Sequence, residues 1–455
     1  MKLSNLFIVL FCTFVAKAQV NSDSAMIKRF FDRELSKGQC YDNLKELCKG
    51  YGKRLSGSPI AAGAVEWSYN KMKSYGFDNI YKQEVMVPHW VRGVKEKATY
   101  RKSDTSKVER VAVCALGGSI GCKIEGEVIE VNSFEVLKAL GKEKVKGKII
   151  FFNRPMDDTN INTFGAYSGA VNQRSRGANE ASFMGASGVI VRSMSLGLNR
   201  FPHTGAMMRY TDSVPKIPAC AISTMDAEKL SSDLSKNSKL KFALEMSSEW
   251  LPDTLSHNVI CEIKGIEFPQ EIIVFGGHLD AWDMAEGAHD DGAGVVQCLE
   301  ALRLFKELGI RPKRTLRCVF FMNEENGMKG GLKYAEEAKK KNEKTILALE
   351  SDEGGFTPRG FSFDASGDTL KRLINYKRFF EPYYMSDFHE GGGGTDISPL
   401  KDQGTVLMDL NPDTQRYFDF HHAATDVFQS VNKRELELGA AGIASMIYLI
   451  DKYGL

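Results

Sequence analysis

Ile272-Ile273-Val274-Phe275-Gly276-Gly277-His278-Leu279-Asp280, followed by Ala288-His289-Asp290-Asp291-Gly292-Ala293-Gly294, decides how this chain folds. The first four residues are β-branched or aromatic and read as a short buried strand. The second run ends in small residues that let the backbone turn tightly into a helical pattern from about Val295 to Leu308. Strand then helix, repeated to the end of the chain, predicts an α/β fold. Its central sheet is mixed but mainly parallel, with helices on both faces. Side chains just past such strands stand at their carboxyl ends, where open α/β sheets keep their ligand sites.

Those side chains bear metal-binding chemistry. His278 offers an imidazole nitrogen, and Asp280 is placed to receive that ring's other N–H, the usual support behind a ligand histidine. Asp290 offers a carboxylate able to bridge two cations. Alone, an HxD or a DDG is more often a turn with solvated charges, but three further clusters follow the same rule. Strand Thr315 to Phe321 runs into Asn323-Glu324-Glu325-Asn326-Gly327, and strand Thr345 to Leu349 runs into Glu350-Ser351-Asp352-Glu353-Gly354-Gly355. Phe420-His421-His422-Ala423-Ala424-Thr425-Asp426 follows near the C-terminus. Imidazole and carboxylate donors suit zinc, which keeps a position open for water in catalytic sites. Neighbouring side chains in extended backbone point to opposite sides, so one of Glu324 and Glu325 is expected to face the metal and the other the water.

These motifs, in this order, resemble the co-catalytic zinc aminopeptidase family, the M28 peptidases. The likeness includes Ala281-Trp282-Asp283 and Gly394-Thr395-Asp396-Ile397 and covers nearly the whole chain beyond its first residues. The resemblance implies two zinc ions, with His278 and Asp352 on one, Glu325 and His422 on the other, and Asp290 between them. It implies Glu324 as general base, and His422 as a ligand because it lies four residues before Asp426. His421 is then left to donate to a developing oxyanion. Asp280 and Asp426 support the ligands. Gly391 to Gly394 with Thr395 and Asp396 are expected to touch substrate, since the amides of a glycine run approach a peptide closely. The implied activity is hydrolysis of dipeptides or other short peptides with free ends. A non-catalytic binding protein on the same fold is opposed by the filled ligand positions and Glu324. A one-zinc glutaminyl cyclase is opposed by His278.

At 455 residues and 43% hydrophobic, the chain can bury a large core and hold more than one domain. Met1-Lys2, the apolar run Leu6 to Val15 and Ala16-Lys17-Ala18 read as a signal peptide over residues 1–18, so the mature protein is expected to be secreted or periplasmic. Phe11 before Cys12 is bulky where a lipid-attachment site wants a small residue, so no membrane anchor is expected. The catalytic domain is expected over 19–109 and 251–455. Residues 110–250, short strands spaced by glycine-rich loops without a ligand cluster, resemble an inserted protease-associated domain. A lid or spacer is the expected role of this segment, although His203 and Arg209 can reach over the cleft. Three helices fit Ser24 to Tyr75, and Ile80 to Val87 alternates as an edge or antiparallel strand closed by Pro88. Arg54, in a loop, is read as a packing or solvent residue.

Sixty basic against 58 acidic side chains give a balanced charge, which argues against nucleic acid or an anionic membrane as the main partner. Short peptides are the expected partners, and a homodimer is compatible with the sequence. Cys114 and Cys122 flank a glycine-rich turn where a disulfide can form, whereas Cys261, Cys298 and Cys318 sit in apolar patterns that favour buried thiols.

Overall fold

The computed structural model describes residues 22–103, 106–211 and 213–455; the expected signal peptide lies outside them. The organising unit is an eight-stranded sheet. Its order is Asn79–Val91, Glu249–Ile263, Arg314–Phe321, Phe268–His278, Lys344–Glu350, Val406–Pro412, Pro358–Asp364, Asp387–Glu390. The four central strands, Arg314–Phe321 to Val406–Pro412, are parallel to one another. Antiparallel pairs flank them on both sides. The mixed, mainly parallel reading therefore holds.

Both faces of this sheet are covered, which explains why its inner strands read as unbroken apolar runs. Ile273, Phe275, Leu316, Cys318 and Phe320 face a core completed by helices 22–37, Cys40–Tyr51, Pro59–Tyr75, Ala293–Glu307 and Lys433–Tyr453. Ile272, Val274, Val319 and Phe321 point the other way, onto Tyr334, Ala335 and Ala338 of helix Lys329–Lys340. Among the described residues, no helix is long and apolar enough to cross a membrane.

Residues between the two long arms Asn79–Val91 and Glu249–Ile263 build a second eight-stranded sheet, from Lys97–Arg101 to Lys241–Met246. It begins before the composition change at about Arg110, because Lys97–Arg101 pairs antiparallel with Lys241–Met246 and buries Ala98 and Tyr100. Pro88 does not end the first arm. The strand continues to Val91 through a register shift between Val87 and His89, the irregularity a proline imposes on a ladder. Cys114 and Cys122 are free thiols, as are the six other described cysteines.

The second sheet is not a remote spacer in its packing. One of its cores takes in Phe356, Tyr417, Phe418 and Phe420 from the first unit, and the other takes in Leu55, Trp90 and Trp282. Arg92, just past the first arm, clamps the junction: its guanidinium meets Asp283 Oδ1 at 2.6 Å, Ala115 O at 2.7 Å and Thr204 Oγ1 at 3.3 Å.

Candidate metal centre

Register brings the donors to one level. His278, the last residue of its strand, pairs with Phe321, the last of the neighbouring strand, and Gly276 pairs with Glu350, the last of the strand on the other side. Glu325 and Asp352 follow within a few residues of those exits. His421 and His422 come from the segment after Val406–Pro412, the fourth parallel strand. Close backbone approach requires Gly277, where a Cβ would stand 2.1 Å from Asp291 Oδ2.

Asp290 occupies the middle. Its Oδ1 lies 3.2 Å from His278 Nε2, itself 3.2 Å from Asp352 Oδ1. Its Oδ2 lies 3.2 Å from His422 Nε2, itself 3.1 Å from Glu325 Oε2. One carboxylate thus joins two donor sets, one oxygen to each. His421 Nε2 is 3.9 Å from Asp290 Oδ2, and its ring stacks on His422 at 3.6 Å, so it flanks the second set.

The donors fit a cation. His278 Nε2, Asp290 Oδ2 and Asp352 Oδ1 are sealed from solvent without a hydrogen-bond partner, despite those short approaches. Buried polar atoms normally find partners, so atoms that converge without bonding one another leave a place for a shared ion. Beside the second set a cavity of about 10 Å³ opens between Asp290, Glu325, His422 and Trp282, room for one water or one ion. Protonation points the same way. Burial and Asp290 push Glu325 up to about 8, and burial pushes Asp352 up to about 7 against the pull of His278. Burial opposes a charged His422, yet Glu325 and Asp290 raise it to about 10. Acids and imidazoles that rise together are short of positive charge, which divalent cations supply.

Second contacts differ from the sequence reading in informative ways. Asp280 does not give its carboxylate to the His278 ring: Nδ1 meets the Asp280 main-chain oxygen at 3.0 Å, while Oδ1 is 3.9 Å away. That Oδ1 instead accepts the N–H groups of Asn323 at 2.7 Å and Glu324 at 3.1 Å. One residue therefore orients a ligand and holds the backbone of the expected base. Nor is that backbone extended. Glu324–Gly327 is a single helical turn entered through Asn323 at φ +77°, and this turn separates the two glutamates. Glu325 is buried, with Oε1 accepting Trp282 N–H at 3.0 Å. Glu324 is half-buried, and its charge acts on His278, Asp280 and Asp352.

Asp426 supports Asp290 rather than His422, accepting the N–H groups of His289 at 2.7 Å and Asp290 at 3.2 Å. His422 is held by the second sheet: its Nδ1 lies 3.3 Å from Thr204 O and 3.5 Å from Arg174 Nη1. His203, expected over the cleft, is 1% exposed and fixes the same turn through His421 O at 2.8 Å. Arg209 is exposed and lies over the Trp250 ring. Asp396 is 0% exposed; its N–H donates to Glu350 Oε2 at 2.9 Å. Gly394 and Thr395 keep partial exposure, so the accessible part of that loop ends there.

Sequence reasoning missed two supports. Asp291 accepts His278 N–H and Gly294 N–H, each at 3.0 Å, and so ties the strand end to the helix start. Arg54, read as packing or solvent, is 0% exposed and donates to Leu279 O, to Glu286 O at 2.6 Å and to Gly287 O at 2.9 Å. It pins both ends of the loop between His278 and Asp290. Arg54→Met should cost about 3 to 5 kcal/mol, because two buried carbonyls and a partly buried one lose a charged donor. Arg54→Lys should rescue little, since an ammonium cannot reproduce the planar fork. Denaturant midpoints for both variants check this.

A family description, Peptidase family M28, matches residues 258–447. Carboxypeptidase Q of Mus musculus is 35% identical over 439 residues, covering 96% of this chain and 89% of that protein. The crystal structure of a peptidase M28 precursor from Shewanella amazonensis is similar over 96% of this chain and 98% of its own, with a TM-score of 0.91 and 32% identity. A zinc aminopeptidase from Bacillus subtilis shares the fold over 90% of this chain and 94% of its own, at a TM-score of 0.63 and 17% identity. With this similarity running through both units, the chain belongs to peptidase family M28 and is a metallopeptidase.

Proposed function

We propose that the protein is an exported exopeptidase that holds two zinc ions and hydrolyses dipeptides or other short peptides with free ends. The observation that carries this reading is Asp290, which presents one oxygen to each of two donor sets. His278 and Asp352 would hold one ion and Glu325 and His422 the other. Zinc bound there supplies Lewis acidity, lowering the pKa of a water toward about 7 and polarising the scissile carbonyl. Glu324, beside the first set, takes the proton of the attacking water and returns it to the leaving amine. His421 flanks the second set and donates to the carbonyl oxygen as that oxygen gains charge. Burial and neighbouring His422 hold His421 well below its usual pKa, so it is neutral and keeps one N–H to donate.

The second sheet, a protease-associated insertion in this reading, walls the cleft and limits the length of peptide admitted; its packing against His421 and His422 supports that role. Export rests on the leader-like residues 1–18. Charge balance favours short peptides over nucleic acid or a membrane surface, and self-association into a homodimer is compatible with the reading.

Elemental analysis of protein purified without chelator should give about two zinc ions per chain, from the two donor sets and the bridging carboxylate. A reproducible value of one, not raised by added zinc, would overturn the two-ion mechanism and return the one-zinc cyclase. A panel of free and end-blocked dipeptides should be cut only where a free end remains.

A further inference from the structure

The turn Glu324–Gly327 lies between two non-glycine residues in the left-handed region, Asn323 at φ +77° and Met328 at φ +56°. Backbone of this kind persists only where its surroundings impose it. Within the turn the two glutamates are held differently. Glu325 is fixed from outside, by the Trp282 N–H on Oε1 and by His422 Nε2 beside Oε2. The Glu324 carboxylate makes no hydrogen bond or ion pair among the described residues, so the backbone of the turn sets its aim.

Ser56 closes that turn from a distant part of the chain. Its Oγ accepts from Asn323 Nδ2 at 2.6 Å and donates to Asn326 Oδ1 at 2.9 Å. One buried hydroxyl, using its hydrogen and a lone pair, thus joins the residue before the two glutamates to the residue after them. Asn323 Nδ2 also donates to Asn326 Oδ1, and Asn323 Oδ1 accepts the Lys329 N–H at 3.3 Å. Ser56 is itself held on both sides. Leu55 packs in the core that contains Trp90 and Trp282, and Ser58 Oγ caps helix Pro59–Tyr75 by accepting the Ala61 N–H at 3.1 Å. A hydroxyl between two anchored neighbours is a fixed post for the turn.

We propose that Ser56 is a positioning residue for the general base: its hydroxyl holds the turn that aims Glu324, while the donor sets are held by other contacts. The inference rests on the exopeptidase reading, with Glu324 as the base. A base works only within hydrogen-bond reach of the proton it takes, so a small shift of the turn removes rate without removing the donors. Arg54 and Ser56 divide the work of one short segment. Arg54 pins the loop between His278 and Asp290, and Ser56 pins the turn after Phe321.

Ser56→Ala removes the hydroxyl alone. In the zinc-loaded protein, kcat on a free dipeptide should fall roughly 10 to 100-fold, the scale set by a small misplacement of a catalytic group. KM should stay within about twofold and zinc content should not change, since Glu325 and His422 keep their own contacts. Added to Glu324→Gln, the same change should lower kcat by no more than about twofold, because a base that is absent cannot be displaced. A hydroxyl with a merely structural role would lower the rate by the same factor in both backgrounds, and that result would overturn the proposal. Unchanged kcat for Ser56→Ala, or zinc lost in step with rate, would overturn it as well. Should Ser56→Ala fail to fold, Asn326→Ala breaks the same link from a half-buried position and is read by the same criteria. If the zinc-loaded wild type cleaves none of the dipeptides, the exopeptidase reading fails and takes this inference with it. An active wild type with an equally active variant sinks the inference alone.

Discussion

Glu324→Gln is expected to leave folding and zinc content intact while turnover falls about 10² to 10⁴-fold, a barrier increase of roughly 3 to 5.5 kcal/mol. The amide keeps the size and hydrogen-bonding shape of the side chain but cannot take the water's proton. Its backbone N–H stays anchored on Asp280 Oδ1, so the turn that positions it is undisturbed. Glu325→Gln should behave differently. Glu325 is buried, with one oxygen 3.1 Å from His422 Nε2 and the other accepting Trp282 N–H, so this change weakens metal binding together with rate. Steady-state kinetics beside metal analysis separates the two. Near wild-type turnover of a zinc-loaded Glu324→Gln protein would show that some other group is the base.

Gly205→Val should do comparable damage from the second sheet. Gly205 has φ +132°, a region that costs a β-branched residue about 1 to 3 kcal/mol. A Cβ there would stand 2.5 Å from Arg174 Cζ and 2.7 Å from His422 Nδ1. The imidazole must then turn away from Asp290 and Glu325, and zinc affinity at that donor set should fall about 10 to 100-fold, the scale seen when support behind a ligand is lost. The set containing His278 and Asp352 should keep its ion. Competition with a chromophoric chelator resolves the two affinities, and an unchanged pair of constants would mean that the second sheet does not position His422.

The fold was legible where periodicity and burial coincide. Ile272 to Phe275 reads as a doubly buried strand because both of its faces are covered, and the same holds for Thr315 to Phe321. His278, Glu325 and Asp352 were legible as donors because each stands at or just past the end of an apolar strand. What stayed hidden depends on three-dimensional neighbours. Nothing local to Arg54 announces the three carbonyls it serves, and nothing near His422 announces Thr204. Asp280 misled because the two-residue spacing suggests a carboxylate behind the ring, whereas the chain bends so that the main-chain oxygen arrives first. A glycine run says that backbone can come close, not which side chain turns inward, as that of Asp396 does.

The pairing of the two long arms also bears on how the chain reaches its native state. Val91 is opposite Glu249 and Asn79 is opposite Glu262, so the first ladder joins segments far apart in sequence. Closing so long a loop as flexible chain costs entropy that rises with the logarithm of its length, and such non-local pairing is slow. The intervening residues form a sheet of their own whose first and last long strands, Lys97–Arg101 and Lys241–Met246, are hydrogen-bonded neighbours. Once that sheet forms, the ends of the two arms are delivered side by side, and the ladder can zip from Val91 and Glu249 outward. The segment that braces His422 thus also brings together the ends of the two arms of the sheet that carries the donor sets.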